Sequence, residues 1–486
     1  MSSKPPDGKP KEVEAMPADL SDQFSKFDPD YVKNVIGPHL LVRTYQGERP
    51  LLPMIDVNLS KENAMPDDLW GLICETWKPD AKNGVILFLQ GLENRGSNNR
   101  RKRIYMSAMT PDLYRPMYQD KVVQFFTKLL DVANARKPLM RSYLAGYFDL
   151  YWDLHLGLRG DTIPTRVLQF GESLNTVLAY RDPTQKIVYE NYMFVHANLA
   201  YLRGWIAEKL ADLNNRKIVN PERTFAYYWV RNAEDRENFQ VEDIISECIH
   251  DFFAFSQWGT TIFNIMLKLS MSSGDPATKA WFKKTMESNF DETDGMPFTP
   301  LERFVMELLR VITPNSGSLS RIGEIGTSRH ERPAYLLSPH AVTNLNRIHW
   351  KDHEKFNPDR YNTVPTSDQI DEAACEQMGF VRCPFERTTF DVRDGRRVVL
   401  HNSGFGTVYG VVDGKPVPVC DHAGFAPFGF GYRRCPGEQF TIKVFEDFLR
   451  KVWTDKIQFL NIVNPVQVPV GPATVTDDNI TFTKTT

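Results

Sequence analysis

Residues 428–437 read Phe-Gly-Phe-Gly-Tyr-Arg-Arg-Cys-Pro-Gly and run straight into a helical pattern over 438–445. The glycines at 429 and 431 let the backbone turn tightly and let a flat, bulky group lie close to it. Cys435 stands at the mouth of the helix, where unpaired N–H groups and the positive end of the dipole favour a thiolate. Pro436 suits a first helical turn, because its missing N–H would go unpaired there anyway. Arg433, two residues before the cysteine, can pair with a carboxylate of whatever the thiolate holds. Such a segment describes a thiolate iron ligand with a haem resting on it.

Phe428, Gly431, Arg433, Cys435 and Gly437 occupy the fixed positions of Phe-x-x-Gly-x-Arg-x-Cys-x-Gly. The segment resembles the cysteine-ligand loop of the cytochrome P450 family. A length of 486 residues would by itself suggest two or three domains. The resemblance implies instead one mainly helical domain with small β-sheets, a triangular helical prism, holding haem b through Cys435. The hydrophobic share of 42% allows a substantial core. A net charge of −3 leaves no footprint of nucleic-acid binding. With no run of eighteen apolar residues, no transmembrane helix is expected.

Residues 1–19 are polar and rich in Pro and Lys, and are expected to form a disordered tail ahead of a haem domain over 20–486. The expectation is a monomeric, cytoplasmic protein, soluble or loosely attached to a membrane. Six cysteines are scattered without zinc spacing, so all but Cys435 read as free thiols in a reducing compartment.

Residues 38–90 mix short apolar runs with turns, where the family places a small sheet. Residues 94–103 are strongly basic, ordinarily the mark of a solvated face. By the resemblance, Lys102 sits where a basic residue meets a haem propionate, and Asn98 stands where many soluble relatives carry histidine. Apolar residues spaced by three and four predict helices over roughly 112–135, 141–157, 164–180 and 184–213. In the family the last two form a movable roof over the substrate pocket. Here they carry Tyr180, Tyr189, Tyr192, Phe194 and Tyr201, residues that suit ordinary helix packing equally well.

The stretch from Val241 to about Ser270 suits a fully buried central helix. Its middle reads Gln257-Trp258-Gly259-Thr260-Thr261, against the family's oxygen-activating Ala/Gly-Gly-x-Asp/Glu-Thr-Thr. Both threonines match, while Gly259 takes the place of the acid, Gln257 replaces a small residue, and Trp258 adds bulk beside it. Cleaving dioxygen needs protons delivered to the distal oxygen, and an acid–alcohol pair is a good relay. Without the acid, the proton for Thr260 must come through water or Gln257.

Glu307 and Arg310 form a Glu-x-x-Arg pair on one helical face, in a helix opened by Thr299-Pro300. Arg360, in Phe-Asn-Pro-Asp-Arg-Tyr over 356–361, resembles the family's later arginine motif. The resemblance implies a buried, structural Glu307–Arg310–Arg360 network bracing the cysteine loop. Arg321 lies where the family usually has a second propionate partner, and His349 is a further candidate. Over 362–427 the chain is longer than the family needs. Asp394-Gly395 and Asp413-Gly414 lie between apolar runs and predict an inserted β-ribbon of two hairpins. The tail from Lys456 alternates apolar and polar residues, as in a small C-terminal sheet with a turn at 471–473.

The resemblance implies a haem-thiolate oxidoreductase acting on a lipophilic small molecule, with O2-dependent monooxygenation foremost and a ferredoxin or flavin reductase as electron donor. Gly259, Gln257 and the ribbon fit a second activity, in which a lipid hydroperoxide is rearranged or hydrogen peroxide serves as oxidant without a reductase. A non-catalytic haem or gas-binding protein is a third possibility, which the preserved motifs disfavour.

Overall fold

The computed structural model describes residues 104–314, apart from short breaks at 138, 181–185, 216, 234–240, 273, 294 and 296–297. Beyond these it describes 318–325, 328–338, 344–345, 350, 352–362, 388–391, 397–400, 409–412, 415–418, 425, 427–428, 435–461 and 480–485. The expected N-terminal tail, the sheet within 38–90, Asn98, Lys102, His349, Gly431, Arg433 and the turn at 471–473 all lie outside the described residues.

The helices are α1 (Gln119–Leu129), α2 (Leu139–Leu156), α3 (Thr165–Tyr180), α4 (Lys186–Asn214) and α5 (Phe225–Ala233). They continue as α6 (Val241–Leu269), α7 (Pro276–Met286), α8 (Pro300–Val311) and α9 (Glu438–Thr454). Ahead of α1, residues Tyr114–Tyr118 form one π-helical turn. Pro116 stands within it, and a proline has no N–H for an i→i−4 bond, so the wider turn loses no donor there. The caps follow local chemistry. Asp275 accepts from the Thr278 N–H at 2.7 Å and Thr299 from the Glu302 N–H at 3.1 Å, each just before a helix-opening proline.

The strands form four antiparallel pairs: β1 (Ser318–Ile325) with β2 (Ser328–Ser338), β3 (Thr388–Asp391) with β4 (Arg397–Leu400), β5 (Tyr409–Val412) with β6 (Lys415–Pro418), and β7 (Ile457–Asn461) with β8 (Thr481–Lys484). Val412 pairs with Lys415 across Asp413-Gly414, as a two-residue hairpin requires. In the preceding hairpin Asp391 pairs with Arg397, and the Asp394-Gly395 turn expected between them lies outside the described residues.

The core is unusually aromatic. Phe440 of α9 meets Tyr114, Tyr118, Phe225 and Trp258 with ring centroids 5.1, 5.6, 5.3 and 6.0 Å away. Edge-on and offset-stacked pairs of this kind add about 0.5–1.5 kcal/mol each beyond their buried area. One side chain thereby joins the π turn, α5, α6 and α9. The Phe148 ring of α2 rests against α3 at Gly171, where a Cβ would stand 2.4 Å from it.

In α4 the buried face carries Leu202, Trp205, Ile206 and Leu210. Tyr201 lies partly exposed, with the Arg166 guanidinium 4.3 Å from its ring centre, so this tyrosine faces outward and not into a pocket. Among the described residues no helix is long and apolar enough to cross a membrane.

Tyr105, Tyr118, Tyr143, Tyr147, Tyr151 and Tyr361 are fully buried, and burial first of all pushes each phenol well above its ordinary value. In the unfolded chain tyrosines ionise at about 10. The folded state therefore binds these protons more tightly, and its stability is complete below pH 10 and lost as pH rises above it. Urea midpoints measured from pH 7 to 11 should hold steady to about pH 9 and then fall steeply; a flat profile to pH 11 would contradict the burial.

Candidate haem-thiolate site

Glu307 of α8 is the most completely satisfied charge in the site. Its carboxylate accepts from Arg310 Nε and Nη2, both at 2.8 Å, and from Arg360 Nε at 3.1 Å on each oxygen. The backbone N–H of Asn357 donates to it at 2.8 Å and the Tyr361 hydroxyl at 3.3 Å. Helical spacing of three gives Arg310 its two parallel bonds, the fork geometry that suits a carboxylate. The spare guanidinium N–H groups cap loop carbonyls: Arg310 reaches Asn344 and His353 at 2.9 Å each, and Arg360 reaches Lys355 at 2.7 Å. Trp350 lies beneath both guanidiniums, 5.8 and 5.5 Å from its ring centre. Burial tends to lower the Arg310 value, but the bonds from Glu307 outweigh it and raise the value.

The network reaches the cysteine through aromatic rings. Tyr361 meets Phe425 edge-on at 6.0 Å, and Phe425 meets Phe428 at 6.4 Å. The Phe428 carbonyl then accepts the Cys435 N–H at 2.8 Å, closing the turn that presents the thiol. Cys435 is partly exposed and has no disulfide partner. Gly437 caps α9, and a Cβ there would stand 3.7 Å from Cys435 Sγ and 3.5 Å from Met109 Sδ. The sulfur is therefore flanked by one bare backbone face and one thioether.

On α6 the middle residues divide around the helix. Trp258 stacks on Phe440 and its Nε1–H donates to Thr441 Oγ1 at 3.2 Å. It fills the seam with α9. Two residues along a helix are about 200° apart, which sends Thr260 to the opposite side. Gln257, Thr260 and Asn264 are partly exposed and share that side at spacings of three and four, so α6 is not buried all round. The Asn264 amide donates to the Thr260 carbonyl at 2.9 Å, and Thr261 donates to the Gln257 carbonyl at 3.0 Å. Gly259 is buried.

The structure thus brings together Glu307, Arg310, Arg360, Phe428 and Cys435, and sets Gln257 and Thr260 on the open side of α6. Arg321 lies on β1 opposite Tyr335. Sequence reasoning missed Tyr361, Trp350, Asn344 and Met109. Tyr361 was within reach, since it directly follows Arg360; the others lie in segments without periodicity.

The donor set suits one kind of metal group. No cluster of three or more His, Cys, Asp or Glu among the described residues could hold a bare ion. A cysteine sulfur beside the bare backbone of Gly437 fits iron that brings its own nitrogen ligands.

Comparison with solved structures bears on the same point. The chain matches CalO2 with a TM-score of 0.56 at 14% identity, covering 100% of both chains. It matches a zebrafish cytochrome P450 crystallised with progesterone at 0.56 and 14%, covering 98% of this chain and 100% of that one. A third match is P450BioI in complex with an acyl carrier protein bearing hexadec-9Z-enoic acid, at 0.55 and 12%, covering 90% of each chain. The fold is that of the cytochromes P450. No family model matches the chain, and no curated protein sequence does. The P450 likeness therefore rests on the path of the backbone, with the motif residues as its only trace in sequence.

Replacing Glu307 with alanine would leave two buried guanidiniums uncompensated, at a cost of about 3–5 kcal/mol. Urea denaturation should show that loss together with reduced haem uptake; a loss below about 1 kcal/mol would show that the arginines find other partners.

Proposed function

We propose that this chain is a haem-thiolate oxidoreductase that inserts oxygen from dioxygen into a lipophilic small molecule. The observation that carries it is a partly exposed cysteine at the mouth of α9 in a P450 fold, tied through Phe428, Phe425 and Tyr361 to a buried ion network. Haem b bound there would supply dioxygen activation, with thiolate donation favouring O–O cleavage.

The protein's own residues have separable tasks. Cys435 would hold the iron through its sulfur, and its N–H bond to the Phe428 carbonyl fixes the turn that carries it. Gly437 keeps the sulfur's flank bare. Lys102, Arg433 and Arg321 are the cations assigned to the propionates. Thr260, on the open side of α6, holds a hydroxyl for proton delivery, with Gln257 one turn before it to orient water. Electrons come from a ferredoxin or flavin reductase. A lipophilic substrate accords with similar structures whose names include progesterone, retinoic acid and testosterone.

One observation favours a second reading, in which a hydroperoxide is the oxidant. No carboxylate stands between Gln257 and Thr261. The nearest on the helix toward its N-terminus, Asp251, is fully buried and held by Tyr105 and His155. Peroxide chemistry makes smaller demands on proton delivery than dioxygen cleavage, and the 362–427 ribbon, which we take as an insertion on the cysteine side, would then shield a face that needs no donor.

Cys435→Ser should abolish the thiolate-type spectrum of the reduced carbon monoxide complex; its persistence would refute the ligand assignment. Gly259→Asp should raise the share of reductant converted to product, by up to about 10²-fold, the low end of what a positioned proton donor supplies. Unchanged coupling, together with rapid Cys435-dependent turnover of a fatty-acid hydroperoxide without reductant, would move the assignment to peroxide chemistry.

A further inference from the structure

The cysteine sulfur has a neighbour that the tasks assigned above do not use. A Cβ placed on Gly437 would lie 3.7 Å from Cys435 Sγ and 3.5 Å from Met109 Sδ, so both sulfurs border the same bare backbone position. Met109 is 3% exposed, while Cys435 is partly exposed. The border that Met109 forms is therefore closed to bulk water, and the exposure of Cys435 arises on its other flanks. A thioether has no proton to donate and is only a weak acceptor. What stands on this flank is thus a soft, polarisable group that cannot hydrogen-bond to the cysteine as a donor.

Methionine is a flexible side chain, so it can hold such a place only if its backbone is fixed. The turn that carries it is closed by the Ser107, Ala108 and Met109 N–H groups on the carbonyls of Ile104, Tyr105 and Met106, at 3.1, 3.3 and 3.0 Å. Three helices pin that segment from outside. Trp229 of α5 donates its Nε1–H to the Tyr105 carbonyl at 3.0 Å and stacks on the Tyr105 ring at 5.2 Å. The Tyr105 hydroxyl donates to Asp251 of α6. Just beyond Met109, the Tyr114 hydroxyl donates to Asp447 at 2.8 Å. Asp447 belongs to α9, the helix that Cys435 precedes, so the thioether and the cysteine are held to one frame.

We propose that Met109 is a positioning residue for the cysteine sulfur: it fills the Gly437 flank with a group that has no proton to give, and so keeps water and other hydrogen-bond donors off the sulfur on that side. This rests on the haem-thiolate reading. The reduction potential of a sulfur-bound iron depends on the hydrogen bonds its sulfur accepts and on solvent access. A donor placed on this flank would draw charge off the sulfur. That stabilises the reduced, more electron-rich state, raises the potential and weakens the push of the sulfur on its iron. Met109 holds the site at the opposite setting, with a low potential and strong donation. Gly437 contributes by leaving no side chain of its own on the flank, so that the thioether is what meets the sulfur there.

The test is a spectroelectrochemical titration of the haem-loaded full chain without substrate, with the carbon–oxygen stretch of its reduced carbon monoxide complex read by infrared. Met109→Gln keeps the unbranched shape and brings an amide donor. It should raise the reduced fraction at a fixed solution potential about tenfold, a shift of about 59 mV for one electron, and move the carbon–oxygen stretch upward. Met109→Leu conserves volume without a donor and should stay at the wild-type potential. Met109→Ala opens the flank to water and should shift in the same direction as Met109→Gln, an arm that stands even where Met109→Gln does not fold. A wild-type potential in Met109→Gln or Met109→Ala, or a shift in Met109→Leu as large as in Met109→Gln, overturns the assignment. A wild type lacking the thiolate-type carbon monoxide spectrum would instead sink the haem-thiolate reading and the role of Met109 with it.

Discussion

One carboxylate buried between two guanidiniums sets the conditions for the rest of the structure. Desolvating three charges costs several kcal/mol for each, and the attraction among them offsets this only when every donor finds an acceptor. Glu307, Arg310 and Arg360 meet that demand only with the Asn357 amide, the Tyr361 hydroxyl and the carbonyls of Asn344, His353 and Lys355 in place. The network therefore acts as an all-or-nothing latch on the segment from 344 to 361. Through Tyr361 and Phe425 the same latch fixes Phe428, and with it the carbonyl that positions the cysteine.

The second organising element is apolar. Phe440 sits five residues beyond the cysteine and is met by rings from the π turn, α5 and α6. Aromatic side chains bring large buried area with few rotatable bonds, so such a cluster gains packing energy at low entropic cost. The ion network locates the cysteine loop from one side and the aromatic cluster locates its helix from the other. The sulfur's position is thereby held from two sides.

Much of this was legible before any coordinates. Helices expected at 141–157, 164–180 and 184–213 appear as α2, α3 and α4 within two residues at each end, because a buried stripe must recur every three or four residues. The expected helix over 112–135 is interrupted: a π turn precedes α1, which ends at Leu129, and apolar spacing does not register a proline-tolerant wide turn. The Glu307–Arg310–Arg360 triad was readable because its spacing and chain order are distinctive. The Tyr105–Asp251–His155 chain was not. Its members stand up to 146 residues apart, and each alone resembles a stray polar group in an aromatic helix. The side taken by Trp258 was not legible, because a pattern aligns positions along a helix and says nothing of which neighbour fills the seam.

That seam has a mechanical consequence. Trp258 is stacked on Phe440 and hydrogen-bonded to Thr441, so the helix carrying Thr260 and the helix that follows Cys435 are riveted at one point. A shear between the two helices would have to break a ring stack and a hydrogen bond at once, so α6 and α9 move as one piece.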